Sequence, residues 1–93
     1  MSNSFFKAVN AQSVTLSVAS QQVTMADART LYLRLASGAT PFYYATGVNP
    51  TATTSSALMP INWIDYIQIS PGEKIAILGS AATNTASIVE LSS

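Results

Sequence analysis

Four acidic residues are the side chains best suited to chemistry in this sequence: Asp27, Asp65, Glu73 and Glu90. General acid–base catalysis near neutral pH usually relies on histidine or on two neighbouring carboxylates, and the sequence contains no His. Glu73 is next to Lys74 in a predicted turn, where both charges are expected to be solvated. Asp65 alone lies within an apolar stretch. We interpret it as an outward-facing strand residue or a partner for Arg29 or Arg34, with a tuned carboxylate as the alternative.

The sequence also gives little support for nucleophilic catalysis or for metal-dependent chemistry. The many Ser and Thr hydroxyls have no neighbouring base to activate them, and the GxSxG, GxGxxG and phosphate-loop motifs are absent. With no His and no Cys, imidazole and thiolate metal ligands are excluded. No loop carries the several acids that a hard cation needs. The sequence therefore predicts a non-enzymatic protein without a metal or other cofactor.

The charge content predicts a function that depends on contact with other proteins. Only 9% of the residues are charged, against about 25% in an average soluble domain, and a free monomer normally keeps a charged surface. We expect partner proteins to cover much of this surface; a soluble domain with a neutral polar coat is the alternative. The four cations are scattered and the net charge is zero, which argues against nucleic-acid binding.

The length and the hydropathy of the chain indicate how many domains it forms and whether it enters a membrane. A chain of 93 residues forms one domain with a thin core. Without Cys for disulfides, it is expected to gain stability by oligomerisation. No apolar run approaches the roughly 20 residues that span a bilayer, and the first residues lack the features of a signal peptide. We therefore expect synthesis in a cytoplasm and no membrane association.

Alternating apolar residues predict half-buried β-strands along most of the chain. The clearest example is the segment 29–36, in which Leu31, Leu33 and Leu35 share one face. Further strands are predicted at 13–18, 21–25, 42–46, 61–69, 75–77 and 85–91. Pro71 and Gly72 occupy the central positions of a predicted type II turn between two of these strands.

The spacing of these segments predicts an all-β fold. We expect a small antiparallel β-sandwich of about seven or eight short strands, with jelly-roll or immunoglobulin-like topology. The first twelve residues show no alternation, and they are predicted to form an N-terminal arm (1–12) that precedes the β-sandwich domain (13–93). No segment predicts a helix longer than a single turn.

The aromatic residues are the best candidates for a binding surface. Aromatic rings fill cores, but they are also favoured in protein interfaces and on sugar-binding faces, and all three roles stay open here. In the run Phe42-Tyr43-Tyr44 the two tyrosines point to opposite faces, so at least one ring lies outside the core. The predicted interface residues are Phe5, Phe6, Tyr32, Tyr43, Tyr44 and Trp63.

Several segments together resemble a known class of viral proteins. The strand 14–18 is followed by a small polar linker and the leucine strand 31–35; later come Met59-Pro60-Ile61, the segment 69–73 and a closing strand at 85–89. Over residues 13–91 this arrangement resembles the small β-sandwich virion proteins of tailed bacteriophages, which include capsid decoration (cement) and fibre-like proteins. The resemblance implies a non-enzymatic protein, present in many copies on the particle as an oligomer.

The leading hypothesis is a decoration protein that binds and stabilises the shell formed by the major capsid protein. We expect a homo-oligomer, trimer or dimer, on the virion surface after synthesis in the host cytoplasm. Phe5 and Phe6 in the arm are expected to anchor it to a neighbouring subunit. One alternative is a head-fibre, neck or tail component with a β-rich oligomeric core. Another is a carbohydrate-binding module that uses Tyr43, Tyr44 or Trp63.

Overall fold

The computed structural model describes residues 7–92, the last of them by its backbone only. Within this range the strands are β1 (Lys7–Thr15), β2 (Gln21–Val23), β3 (Tyr32–Ala36), β4 (Phe42–Gly47), β5 (Ala57–Met59), β6 (Ile64–Gln68), β7 (Lys74–Gly79) and β8 (Thr85–Ser92). They form two four-stranded sheets: sheet A, in the order β1-β8-β3-β6, and sheet B, in the order β2-β7-β4-β5. The predicted all-β sandwich is confirmed.

The strands pair in a nested order. β1 pairs with β8, β2 with β7, β3 with β6 and β4 with β5, all antiparallel. The chain therefore resembles one long hairpin with its tip between β4 and β5. Two further antiparallel pairs, β3 with β8 and β4 with β7, complete the sheets. This order is the jelly-roll arrangement of two four-stranded sheets, one of the two topologies that the sequence left open.

The core lies between the two sheets and follows the strand period of two. Leu33 and Ile88 of sheet A are fully buried against Ile75 and Ile77 of sheet B. This packing settles the facing of the last strand, which is ambiguous in the sequence, because Ala86 joins Ile88 in the core. The other apolar residues of β8 lie on the outer face of sheet A, where neighbouring side chains cover them.

The predicted end of the arm at residue 12 falls inside β1. Residues 7–12 pair with β8, with one irregularity in the register between Ala8 and Asn10. Alternation is missing from this part of the sequence because the first five residues of β1 are exposed, so neither face requires apolar side chains. Residues 1–6, which include Phe5 and Phe6, lie outside the described residues.

Of the two connections that flank β6, the one after it agrees with the sequence prediction and the one before it does not. The turn before β7 is of type II as predicted, since Gly72 has a φ of +84° and the Glu73 N–H donates to the Ser70 carbonyl at 3.0 Å. The strand predicted at 61–69 is shorter and begins at Ile64. Asn62 has a φ of +51°, and this left-handed conformation interrupts the extended chain before β6.

Candidate functional site

Large apolar side chains are exposed together at the start of β6 and in the connection that precedes it. β5 and β6 are edge strands of their sheets, and only residues 60–63 separate them in the chain. We call this surface the Trp63 ridge, and it consists of four side chains that are each more than half exposed: Ile61 (51%), Trp63 (55%), Ile64 (55%) and Tyr66 (63%). Exposed apolar patches of this size are often functional, so the ridge is the main candidate for a binding surface.

Ser37, directly after β3, holds the ridge in place. The Ser37 N–H donates to the Trp63 carbonyl at 2.9 Å, and the Trp63 N–H donates to the Ser37 hydroxyl oxygen at 3.0 Å. The same hydroxyl donates to the Pro60 carbonyl. The Asn62 N–H donates to the Gly38 carbonyl at 2.8 Å. The connection that presents Trp63 is therefore bonded to the end of β3 along its whole length.

Asp65 lies on the inner face of β6, opposite Leu35, and not on the outer face as predicted. The hydroxyl of Tyr44, in sheet B, hydrogen-bonds its carboxylate. Burial raises the pKa of Tyr44, and the nearby negative charge of Asp65 raises it further. The Asp65 carboxylate also accepts the Tyr66 N–H at 2.9 Å. These two donors offset the cost of placing a carboxylate on the inner face of a strand.

Two other carboxylates fix the backbone near them. Asp27 accepts the Arg29 N–H at 2.9 Å, and its Oδ1 lies 3.5 Å from the Arg29 Nε. The Arg29 N–H lowers the pKa of Asp27, and the Arg29 charge adds to this effect. Glu73 accepts the Ser70 N–H at 2.7 Å. Both acids therefore stabilise turns of the chain.

Glu90 is fully buried in β8. Its carboxylate accepts the Ala26 N–H at 2.7 Å, the Asp27 N–H at 3.1 Å and the Thr30 hydroxyl at 2.7 Å. All three donors belong to the connection between β2 and β3, so Glu90 anchors this connection to sheet A. The sequence gives no sign of this role because the donors lie 60 to 64 residues away.

The structure separates the residues that the sequence predicts for an interface. Trp63 lies on the ridge, whereas Tyr43 lies on the outer face of sheet B, opposite Leu58 in register. Tyr32 is half-buried on the outer face of sheet A, at the other end of β3 from Ser37. Tyr44 points inward toward Asp65. The four predicted residues within the described range therefore do not form one surface.

Three residues of the ridge are not predicted by the sequence as interface residues: Ile61, Ile64 and Tyr66. A long apolar stretch such as residues 61–69 is normally interpreted as a core strand. The exposure of its first residues and of its even-numbered residues was therefore unexpected. Two signals were present in the sequence. Pro60 limits strand pairing, and Asn62 is a residue type that tolerates the left-handed conformation found there.

A shallow cleft of about 300 Å³ lies at the end of β1 and β8, away from the ridge. Its walls combine the Asp27–Arg29 ion pair with Thr30, Tyr32 and three apolar side chains. The two charged groups of the cleft are paired with each other. The cleft therefore presents neither an activated nucleophile nor a free carboxylate.

The described residues, 7–92, contain no cluster of three His, Cys, Asp or Glu side chains that could hold a metal ion. In the same range no helix is long and apolar enough to cross a membrane. Comparison with protein-family models, curated proteins and solved structures found no match for this chain. The function is therefore argued from the surfaces of the molecule.

Proposed function

We propose that this chain is a non-enzymatic structural protein of a bacteriophage particle, which binds the shell of the major capsid protein as a decoration (cement) protein. The observation that carries the proposal is the Trp63 ridge, an exposed apolar surface with no charged side chain. Packing on a partner removes this surface from water, and that removal is the main favourable term in protein association. The viral setting comes from the resemblance of the sequence.

The size of the ridge suits an interface core. Side chains of this type that are half exposed leave about 100 Å² each, so the four side chains of the ridge offer roughly 400 Å² of apolar surface. The largest apolar patch on a typical monomer covers about 300–600 Å² and is often functional. A stable interface buries about 800 Å² per partner. The ridge supplies about half of that area, which suits the apolar core of an interface.

The rigidity of the ridge also favours binding. The hydrogen bonds of Ser37 to Trp63 and Pro60 fix the backbone that carries the indole ring. A fixed loop loses little conformational entropy when it docks, so more of the contact energy contributes to affinity. Trp and Tyr are the residue types that most often dominate interface energies, and the ridge holds Trp63 and Tyr66.

The low charge of the surface supports coverage by partners. Only 9% of the residues are charged, and the carboxylates of Asp65 and Glu90 are turned into the molecule. A protein that binds the assembled shell better than free subunits stabilises the shell by mass action. The jelly roll occurs in viral capsid proteins and in lectins, so the fold alone does not choose between a shell protein and a sugar binder.

A carbohydrate-binding module is the second candidate. The exposed rings of Trp63 and Tyr66 favour it, because exposed aromatic rings also stack on sugars. The first candidate predicts that both rings contact protein, and the second predicts that they contact a glycan. A glycan array probed with the full chain separates them, since only the second candidate predicts a hit that the W63A variant loses.

Cosedimentation with capsids tests the proposal. The full chain is mixed with purified shells of the virus that encodes it, and the bound copies are counted on a quantitative gel. A decoration protein is expected to saturate at a fixed ratio to the major capsid protein over the whole shell. Saturation at a few copies per particle would favour a fibre, neck or tail component. No binding at any concentration would contradict a virion role on the shell.

A further inference from the structure

The open edges of the two sheets differ in how well they are protected from pairing. β1 and β6 are the edge strands of sheet A, and β2 and β5 are those of sheet B. β2 and β5 have three residues each, too few for a stable ladder with another chain. Short edge strands are one of the devices by which proteins prevent unwanted sheet extension. Only β1 and β6 remain as candidates for pairing.

The open edge of β6 is blocked by the side chain of Asp65. The Ile69 N–H donates to the Leu31 carbonyl, so odd-numbered residues of this segment bond to β3 and even-numbered residues face the open side. Tyr66 is the central residue on the open side, and its N–H is already bonded to the Asp65 carboxylate. An inward-pointing charge on an edge strand is a recognised protection against pairing. β6 therefore presents apolar side chains but no free ladder.

The edge of β1 has no such protection between Asn10 and Val14. The Leu16 N–H donates to the Asn84 carbonyl at 3.1 Å, and the same register continues through β8. Even-numbered residues of this part of β1 therefore bond to β8, and the N–H and C=O groups of Ala11 and Ser13 face the open side. Both residues are exposed and uncharged.

We propose that two copies of this chain pair through β1, antiparallel about Gln12, and join their A sheets into one continuous sheet. In this register Ala11 of one copy lies opposite Ser13 of the second copy, so the two open residues form a self-complementary ladder of about four hydrogen bonds. The side chain of Gln12 is held on the inner face, where it donates to the Thr24 carbonyl at 3.1 Å.

The side chains around this two-fold axis suit a second copy. Ala11 and Ser13 are small, so the strands approach without steric conflict, and no like charges meet. The one charged residue of β1 is Lys7, at the start of the strand and beyond the irregularity at residue 9 that ends the regular register. β1 pairs with β8 on one side only, and the second copy supplies a neighbour on its open side.

The pairing has a consequence for the proposed function. β1 and β6 lie at opposite edges of sheet A, so the paired molecule carries its two Trp63 ridges at its outer edges. Seven strand spacings separate them, about 34 Å. Two ridges on one particle can bind a repetitive shell with an avidity well above that of one ridge. This use rests on the proposed function, whereas the pairing itself does not.

Sedimentation equilibrium over a wide concentration range tests the pairing. The dimer dissociation constant of the natural full chain is compared with those of two double variants. A11K/S13K places like charges opposite each other across the axis, and the dimer dissociation constant is expected to rise about tenfold or more. A11K/S13E places opposite charges there, and dimerisation is expected to persist. Both variants change exposed residues only, and circular dichroism confirms that each is folded.

Hydrogen exchange supplies a second readout. The amides of Ala11 and Ser13 are expected to exchange more slowly as the concentration rises, while the amide of Ile64 at the ridge does not change. A monomer at every concentration, or a dimer equally stable in A11K/S13K and A11K/S13E, would overturn the proposal. A chain that dimerises but binds no shell would contradict the proposed function alone, and a monomer that binds shells would contradict the pairing alone.

Discussion

The hydroxyl of Tyr44 in sheet B hydrogen-bonds the carboxylate of Asp65 in sheet A, and this pair joins the two sheets directly behind the Trp63 ridge. Asp65 is flanked in β6 by two ridge residues, Ile64 and Tyr66. The carboxylate thus has two effects. It ties the strand that carries the ridge to the opposite sheet, and it occupies the backbone N–H of Tyr66 at the sheet edge.

The contribution of this pair to stability is measured with Y44F. The variant removes the hydroxyl and keeps the ring, so the free energy of unfolding is expected to fall by about 1 kcal/mol, the value of a typical hydrogen bond. Urea denaturation measures this change in the free energy of unfolding. Y43F is the matched control, because Tyr43 lies on the outer face of the same strand. Equal losses in the two variants would show that the Tyr44 hydroxyl contributes nothing specific.

Alkaline pH is expected to weaken the same contact. The pKa of Tyr44 in the folded chain is raised above its ordinary value of 10.0, so the folded state favours the neutral phenol. This stabilisation is fully present below pH 10 and is lost as the pH rises through the folded-state pKa. Urea midpoints measured across this range should therefore fall more steeply for the natural chain than for Y44F. Parallel curves for the two proteins would contradict the assignment.

Removal of the charge at Asp65 is expected to open the edge of β6. In D65V the Tyr66 N–H loses its acceptor and the edge strand loses its only charge, a combination that promotes edge-to-edge association. Light scattering should show concentration-dependent growth of large species. Y44F is the control, because it loses the same inter-sheet hydrogen bond but keeps the carboxylate. Aggregation of both variants to the same extent would assign the effect to lost stability instead of to edge protection.

Replacement of Glu90 is expected to be among the most damaging changes in the chain. E90Q places an amide donor among three donors, so at least one hydrogen bond is lost in a fully buried site. The free energy of unfolding should fall by about 3 kcal/mol. The amides of Ala26 and Asp27 should exchange with solvent faster than in the natural chain.

E73Q is the control for Glu90. Glu73 accepts one hydrogen bond in a solvent-accessible turn, and its replacement should cost well under 1 kcal/mol. If the two variants unfold at the same urea concentration, the connection between β2 and β3 does not depend on Glu90.

The parts of the fold that follow from local pattern could be predicted from the sequence. The alternation around Leu33 and Leu35 identifies β3, and the Pro71-Gly72 pair identifies the turn before β7. Features set by distant partners could not be predicted. Asp65 faces inward because Tyr44 lies opposite on the other sheet, and Glu90 is buried because its donors come from a remote connection.

The same limit applies to the candidate site. Trp63 is predicted as an interface residue by its type, but its neighbours on the ridge are not, because apolar residues in a long apolar stretch normally lie in the core. Their exposure depends on where β6 begins. The start of β6 is set by the hydrogen bonds of Ser37 to the connection before β6. The hydrophobic periodicity of the sequence does not reveal these bonds.

The proposed binding of the capsid by the Trp63 ridge is tested most directly by comparing the shell affinities of W63A and V48A. Val48 is 76% exposed, in the β4–β5 connection and outside the ridge, so V48A controls for the loss of an exposed apolar side chain. We predict that W63A weakens shell binding at least about thirtyfold, or about 2 kcal/mol, while V48A binds like the natural chain. Equal binding by W63A and the natural chain, with both proteins folded, would contradict the account.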